Sequence, residues 1–450
     1  MGGLKPVPHR HNTDPTPAQH PPDTDPMVRP MPDPFISQRV RSLKTSSTIA
    51  VANRAKALAR SGIDVLSFAA GEPDFATPQR IREAACQALE AGQTRYMPTL
   101  GDPETRAVIA EKLTLENDIK GLTDEHVGVS AGAKQSLFCL AQALFDTPTP
   151  GEPPAEAILP VPIWVSYRPH IELAGGLVIE VPTTPQSGFK MTPDQLRKAI
   201  TPRSRLLVLN SPSNPCGTMY SPAEIRALAA VVAQAASTIA PDLVILSDEI
   251  YEKIVYGSDA HCSIGSIPAV ADRTITVNGL SKAFAMTGWR AGYAACPGDW
   301  GKRIIQAMGT YQGQISTNIT SFVYPAIRVA LTECSDEIER MRVAFAERAT
   351  LMYTGLNAIE GLKTTEPVAA FYAFPDVSAH FGSTTPAGRS IDSALAFAEA
   401  LLEEAQMAVV PGEDFGGCGD RHIRISFACS NEQIAEGLIR LERFIASLAN

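Results

Sequence analysis

The stretch Thr276–Gly292, TVNGLSKAFAMTGWRAG, is the part of the sequence that best indicates the fold. An apolar, strand-like run ends in a polar turn that carries Lys282, and Arg290 follows eight residues later. Lysine can form a Schiff base with an aldehyde when its surroundings lower its pKa enough to leave it nucleophilic. Because a guanidinium at this spacing suits a phosphate, the pair suggests a cofactor such as pyridoxal phosphate (PLP). Taken alone, however, a loop lysine is usually a solvated surface charge.

Three apolar runs upstream also stop at polar or glycine-rich clusters. Val127–Ser130 precedes AGAKQ, Leu206–Leu209 precedes NSPSNPCG, and Leu243–Leu246 precedes SDEIY. In open α/β sheets, ligands bind in the crevice beyond the carboxyl ends of the strands. Together with Thr274–Val277 before the lysine turn, these runs predict four strand ends that share one site.

The polar groups after these runs match the chemical needs of PLP. Asp248 can keep the pyridine nitrogen protonated, which makes the ring an electron sink. Tyr251 and Asn214 can donate hydrogen bonds to the phenolate oxygen and thereby tune the pKa of the Schiff base. Trp164, in PVPIWVSY, is a candidate to stack on the ring, although a lone tryptophan is more often a core residue.

A phosphate site is predicted where Gly132, Ala133 and Lys134 open a helix after a tight turn. Free backbone N–H groups and the helix dipole favour a phosphate dianion there. Arg290 would add a bidentate, charge-assisted contact to the same phosphate.

The ordered set of motifs resembles the class I aminotransferases of PLP fold type I, close to the bacterial aspartate and prephenate aminotransferase branch. The resemblance runs from about Phe35 to the C-terminus, through SFAAGEPDFATP, GQTRYMP, NSPSNPCGTMY, SDEIYEKIVY, TVNGLSKAFAMTGWRAGY and VVPGEDFG. It implies an α/β fold: a large domain with a mostly parallel sheet and helices on both faces, plus a smaller α+β domain.

The resemblance also implies roles for single residues. Lys282 would hold PLP and carry the proton between the substrate's α-carbon and the cofactor. Tyr96 would reach across a homodimer interface to the partner's cofactor phosphate, so that two chains share their active sites. Arg424 would clamp the substrate's α-carboxylate, and the backbone of Gly71 would lie against the substrate.

Two positions depart from the better-known aspartate aminotransferases. Gly279 stands where those enzymes have a phosphate-binding serine, and Ser281 is the nearest replacement. Residues 308–320, where a second arginine would read a distal carboxylate, contain none. In the branch resembled here a lysine at the Lys134 position does that work, although a phosphate or surface role for Lys134 stays open.

The implied reaction moves an amino group from an amino acid, with aspartate or glutamate preferred, to a 2-oxo acid by a ping-pong mechanism. Alternatives within enzymes are an aspartate/glutamate-prephenate or aromatic aminotransferase, or a fold type I lyase. A PLP-binding regulatory protein is a rival from another class, but the chain offers no evident DNA-binding or partner module.

Composition and residue spacing exclude several further classes of function. The net charge of −9 argues against nucleic acid as a partner, because phosphate backbones attract basic surfaces. No apolar run reaches the ~20 residues that a membrane helix needs. The eight cysteines form no CxxC pair, and the histidines lack ligand spacing, so we expect a reducing cytoplasm and no metal.

The domain boundaries are predicted from changes in composition. Residues 1–34 contain ten prolines and few apolar side chains, so we expect a disordered arm. Residues 35–77 and 325–450 are expected to form the small domain, and residues 78–324 the large PLP-binding domain.

Overall fold

The computed structural model describes residues 36–43 and 47–449. The chain separates into two compact units, Met1–Lys44 and Thr45–Asn450. In the first unit, a short helix, α1 (Gln38–Arg41), follows Ser37, whose hydroxyl caps the Val40 N–H. The predicted disordered arm lies outside the described residues. The boundaries proposed at residues 77/78 and 324/325 stay predictions.

The described strands of the second unit form three sheets. In chain order they are β1 (Leu66–Ser67), β2 (Val127–Ala131), β3 (Glu156–Val161), β4 (Leu177–Pro182), β5 (Ser204–Asn210), β6 (Val244–Asp248), β7 (Thr274–Gly279), β8 (Ala291–Ala295), β9 (Tyr372–Ala373), β10 (Met407–Ala408), β11 (Val410–Pro411) and β12 (Ile423–Ser426).

The described helices of this unit lie between and after these strands. They are α2 (Ser47–Arg60), α3 (Gln79–Glu90), α4 (Pro103–Glu116), α5 (Ala133–Leu144), α6 (Tyr167–Leu173), α7 (Pro193–Ala199), α8 (Pro222–Ala236), α9 (Gly298–Gly313), α10 (Tyr324–Glu333), α11 (Ser335–Ala358), α12 (Ala394–Ala405) and α13 (Asn431–Ala446). None of the helices among residues 36–43 and 47–449 is long and apolar enough to cross a membrane.

The large sheet has seven strands in the order β2-β8-β7-β6-β5-β3-β4. All neighbours pair in parallel except those of β8, which is antiparallel to both β2 and β7. Because β8 reverses the direction on both of its sides, β2 still runs parallel to β7. The carboxyl ends of β2, β5, β6 and β7 therefore meet at one edge, as the sequence predicted.

Both faces of this sheet are buried. Leu206 and Val208 of β5 pack into a cluster with α5 and α9, whereas Leu207 and Leu209 pack into the opposite cluster with α7 and α8. A strand covered on both sides has a continuous apolar sequence, which is why these runs could be recognised. The predicted mostly parallel sheet with helices on both faces is confirmed.

Several helices start at capping boxes that the sequence encodes. Ser221 accepts a hydrogen bond from the Glu224 N–H, and the Glu224 carboxylate accepts one from the Ser221 N–H at 2.7 Å. Pro222 takes the first position of α8, where its missing N–H is not needed. Such reciprocal caps satisfy helix N–H groups that have no carbonyl partner.

The other two sheets are small. β11, β12 and β9 form an antiparallel sheet, and β1 pairs with β10 in parallel. Along β12, Ile423 and Ile425 enter a core with α11, α12 and α13. Since successive strand residues point to opposite faces, Arg424 faces away from that core.

Candidate functional site

A cavity of about 360 Å³ opens at the carboxyl edge of the large sheet. Eleven of the thirteen predicted site residues line it, and the exceptions are Gly132 and Tyr96. The edge location follows from the topology, because the loops after four strands converge there.

Lys282 lies in the turn after β7, and its Nζ donates to the carbonyl oxygen of Gly71 at 2.5 Å. Burial lowers the pKa of Lys282 to about 8, the nearby cation of Arg424 adds to this effect, and the carboxylate of Glu72 opposes it. An amine with this pKa is partly neutral near pH 8, and the neutral form is the nucleophile.

Asp248 ends β6 and is 3% exposed. Its Oδ2 accepts a hydrogen bond from Tyr167 Oη at 2.7 Å, and its Oδ1 accepts one from the Ile250 N–H at 3.2 Å. Burial raises the pKa of Asp248 to about 6, while the Tyr167 hydrogen bond opposes the rise. The carboxylate therefore stays mostly ionised at neutral pH and is suited to bind a cationic ring nitrogen.

Arg424 is 3% exposed and enters the cavity from the small antiparallel sheet. Its Nη1 donates to Asn214 Oδ1 at 3.0 Å, and its Nη2 donates to the Ala69 carbonyl at 2.8 Å. The guanidinium lies over the rings of Tyr372 and Phe415, at 4.7 and 5.3 Å. Its Nε, buried, has no partner within the described part of the chain.

An anion cradle forms where α5 begins. Gly132 has a φ of 81°, which strains any residue with a side chain, and a Cβ there would lie 2.5 Å from Arg290 Nη2. Arg290 Nη1 donates to the Thr287 carbonyl at 2.9 Å. The guanidinium and the first N–H groups of the helix, at Ala133 and Lys134, therefore surround one place that suits a phosphate.

Gly279 has no room for a side chain. An added Cβ would lie 2.9 Å from the carbonyl oxygen of Ala291 and 3.1 Å from the Cα of Gly292 in β8. A serine at this position would have to displace main chain. Ser281, whose side chain lines the cavity, is the hydroxyl residue available nearby.

Lys134 and Trp164 form one wall of the cavity. Lys134 Nζ lies 5.0 Å from the centre of the Trp164 ring. Burial lowers the pKa of Lys134, and the charge of Arg290 lowers it further. Trp164 meets Tyr167 edge to face, with ring centres 5.2 Å apart. The lysine thus presents a second cation, separate from Arg424, to a ligand in the cavity.

Tyr96 lies outside the cavity, and its side chain is 87% exposed on this chain. Its predicted contact is with a second chain, so its role stays a prediction.

Residues 63–441 match the family described as aminotransferase class I and II. This chain belongs to that family. It is therefore an aminotransferase, as the motifs predicted, and the lyase and regulatory alternatives are not favoured.

The aminotransferase is 42% identical over 416 residues to an aspartate/prephenate aminotransferase of Cereibacter sphaeroides, which covers 92% of this chain and 100% of the relative. Its fold matches a crystal structure of the Rhizobium meliloti aspartate aminotransferase with a TM-score of 0.84 and 37% identity, covering 92% and 99% of the two chains. It also matches the Thermus thermophilus aspartate aminotransferase solved with maleate, at a TM-score of 0.82 and 40% identity, covering 91% and 99%.

Sequence reasoning missed eight of the residues that line the aminotransferase's cavity, among them Asn210, Thr287, Tyr167 and Tyr372. Asn210 Oδ1 accepts a hydrogen bond from the Asn214 N–H at 2.9 Å, and Tyr167 supports Asp248. Asn210 ends β5 and is the first residue of the recognised NSPSNPCG cluster, so its position was a usable signal. Tyr167 and Tyr372 lie in apolar segments, so the sequence gave no signal that they line the cavity.

One cluster of possible metal ligands exists among the described residues. Ligand atoms of Glu249, Glu252 and His261 lie within 4.8 Å of one another, although the histidines have no ligand spacing in sequence. Lys112 already forms an ion pair with Glu252, and Asn117 donates to Glu249 at 3.1 Å. These carboxylates therefore have partners in a buried ion-pair network.

Proposed function

We propose that this aminotransferase uses PLP and transfers the amino group of a dicarboxylic amino acid, aspartate or glutamate, to a 2-oxo acid, with prephenate as a candidate acceptor. The observation that carries the proposal is that Lys282 and two separate cations, Arg424 and Lys134, line one cavity. The proposed substrate class matches the names of the relatives, which include aspartate and aspartate/prephenate aminotransferases.

The residues present fit PLP. The cradle at Gly132 and Arg290 suits its phosphate, and the buried carboxylate of Asp248 suits its ring nitrogen. Tyr251 and Asn214 offer hydrogen-bond donors to its phenolate oxygen. When bound, PLP supplies an aldehyde that takes up the amino group and a ring that delocalises the negative charge left on the substrate's α-carbon.

The protein's own groups perform the remaining tasks. Lys282, as a neutral amine, would remove the proton from the substrate's α-carbon and deliver it to the cofactor's carbon, which is general base and general acid catalysis by one group. Its hydrogen bond to the Gly71 carbonyl holds the amine at the wall of the cavity. Burial of Asp248 and partial burial of Lys282 limit water around the reacting atoms, which strengthens their electrostatic interactions.

Arg424 and Lys134 would fix the two ends of the substrate. Arg424 has a planar guanidinium already aligned by Asn214 and Ala69, which suits the α-carboxylate. Lys134 is a point charge on a flexible stem and would read the distal carboxylate. The maleate bound to the Thermus thermophilus relative is itself a dicarboxylate, which supports this substrate class.

We further propose that the protein is a cytoplasmic homodimer in which Tyr96 reaches the partner's cofactor phosphate. The 87% exposure of this tyrosine supports a contact outside its own chain. Mixing Tyr96→Phe with a Lys282→Ala variant would test shared sites, because a mixed dimer would keep one site with both residues intact.

The first experiment mixes the PLP-loaded protein with L-aspartate or L-glutamate, singly and without an acceptor, and records the visible spectrum. Conversion of the cofactor to its amine form, pyridoxamine phosphate, would establish a half-reaction with a dicarboxylic donor. Conversion by phenylalanine or alanine alone would remove the role given to Lys134. A released product other than a 2-oxo acid would favour a lyase.

A further inference from the structure

The hydroxyls of two tyrosines that line the cavity, Tyr251 and Tyr372, contact each other. Tyr251 Oη and Tyr372 Oη are 2.9 Å apart, and the side chains are 3% and 1% exposed. Tyr251 follows β6 of the large sheet, whereas Tyr372 belongs to β9 of the small antiparallel sheet. This contact therefore links the residues proposed to hold the cofactor with the sheet that carries Arg424.

Once a cofactor is bound, the number of protons on the two hydroxyls determines which tyrosine donates the hydrogen bond between them. Each hydroxyl has one proton to donate. In the proposed function Tyr251 donates its proton to the cofactor's phenolate oxygen, so the proton between the tyrosines must come from Tyr372. We propose that Tyr372 is a positioning residue for transamination, whose hydroxyl donates to Tyr251 and directs the Tyr251 proton into the cavity.

The surroundings of Tyr372 hold its hydroxyl at this place. A Cβ on Gly71 would lie 2.6 Å from Tyr372 Oη, so the absence of a side chain at residue 71 leaves the room that the hydroxyl occupies. The Arg424 guanidinium lies 4.7 Å above the Tyr372 ring, and the Phe371 ring lies 4.8 Å away. A cation over the ring draws electrons from the phenol and makes its hydroxyl a better donor.

The inference rests on the proposed function and extends it. Hydrogen bonds in a chain polarise one another, so a Tyr251 hydroxyl that accepts from Tyr372 is a stronger donor to the phenolate oxygen. Stronger donation withdraws charge from that oxygen. The nitrogen that joins the cofactor to Lys282 then loses its proton at a lower pH, and this change is visible as a shift of the absorption band.

The test titrates the visible band of the PLP-loaded protein against pH in wild type and in Tyr372→Phe, which removes only the hydroxyl. We expect the pH at the midpoint of this titration to be higher in the variant by about half a pKa unit. The same substitution in a Tyr251→Phe background should leave the midpoint of that background unchanged, because Tyr372 acts through Tyr251.

Two further variants separate positioning from general damage to the core. Gly71→Ala keeps the Tyr372 hydroxyl but places a methyl against it, so the midpoint should rise as in Tyr372→Phe. Tyr220→Phe is the matched control, since this buried hydroxyl accepts from the Met191 N–H away from the cavity. Its midpoint should equal that of wild type.

Each outcome decides the proposal. An unchanged midpoint in Tyr372→Phe overturns it, as does an equal rise in the Tyr251→Phe background or in Tyr220→Phe. If Tyr372→Phe does not fold, the midpoint of Gly71→Ala decides in the same way. A wild-type protein that shows no cofactor band would instead reject the proposed use of PLP, which is a separate result.

Discussion

The large sheet and the small antiparallel sheet contribute different kinds of group to one cavity. The large sheet supplies Lys282, Asp248 and Arg290 from the ends of strands that are buried on both faces. The small sheet supplies Arg424 and Tyr372 from strands of four and two residues. We infer that the large sheet supplies the residues that bind the cofactor and transfer the proton. The small sheet supplies the residues that bind the substrate's carboxylate and adjust the cofactor's hydrogen bonds.

The largest effect should come from the large sheet. Lys282→Ala removes the group proposed to bind PLP covalently and to move the proton, so turnover should fall on the order of 10⁴-fold or more. Steady-state assays with aspartate and 2-oxoglutarate would measure this, and the imine absorbance should vanish as well. Lys302→Ala, which removes an exposed lysine paired with Glu125, should keep wild-type turnover. Substantial turnover in Lys282→Ala would reject the assignment.

The raised pKa of Asp248, at the end of β6 in the large sheet, predicts that the stability of the protein depends on pH. Its pKa is raised by burial from 3.8 to about 6 in the folded protein, so the folded state favours the protonated form. The protonated Asp248 therefore adds to the free energy of unfolding below about pH 4, and this contribution is lost as the pH rises through about 6. Ionisation then destabilises the cofactor-free protein by about 3 kcal/mol, since each pKa unit corresponds to ~1.4 kcal/mol.

Asp248→Asn cannot ionise and should therefore escape this loss. In urea unfolding of the cofactor-free protein, the variant should gain about 3 kcal/mol relative to wild type between about pH 3 and pH 7, a range that brackets both pKa values. The exposed Asp242→Asn serves as the control and should follow wild type. A difference between Asp248→Asn and wild type that stays constant with pH would mean that the carboxyl titrates normally despite its burial.

Sequence reasoning recognised the long buried strands of the large sheet more easily than the short strands of the small sheet. Leu206–Leu209 was predicted as a strand and lies inside β5, because a strand buried on both faces has an unmistakable apolar run. FYAFPDV, residues 371–377, also has a strand-like apolar sequence, but β9 covers only Tyr372 and Ala373, and Asp376 makes isolated bridges beyond Pro375, which has no N–H to donate to a ladder.

The two missed tyrosines, Tyr167 and Tyr372, were missed for the same physical reason. Tyr167 contacts Asp248 across 81 positions, and Tyr372 contacts Tyr251 across 121, so no local pattern could reveal either pair. Both tyrosines look like ordinary core residues in sequence. Residues at strand ends could be found because the sheet topology alone brings them together. Residues that hydrogen-bond to them from other elements, such as these tyrosines, depend on the tertiary packing and could not.

A substitution in the small sheet should reduce substrate use and leave the cofactor bound. Arg424→Lys keeps a charge but loses the planar fork that Asn214 and Ala69 align, so kcat/KM for aspartate should fall by about 30-fold, mainly through KM. The visible cofactor band should be retained. If the band is lost instead, the small sheet takes part in holding the cofactor, and the proposed division of tasks is wrong.

Lys134 gives the finest test, because it starts a large-sheet helix yet is proposed to read the substrate. Lys134→Ala should lower kcat/KM for aspartate by about tenfold through loss of one charge-assisted contact, and should leave phenylalanine nearly unaffected. Lys134→Arg should recover part of the aspartate activity, because it restores the charge beside Trp164. An equal loss with both amino acids, together with weaker cofactor binding, would assign Lys134 to the phosphate, and the large sheet would then serve the cofactor alone.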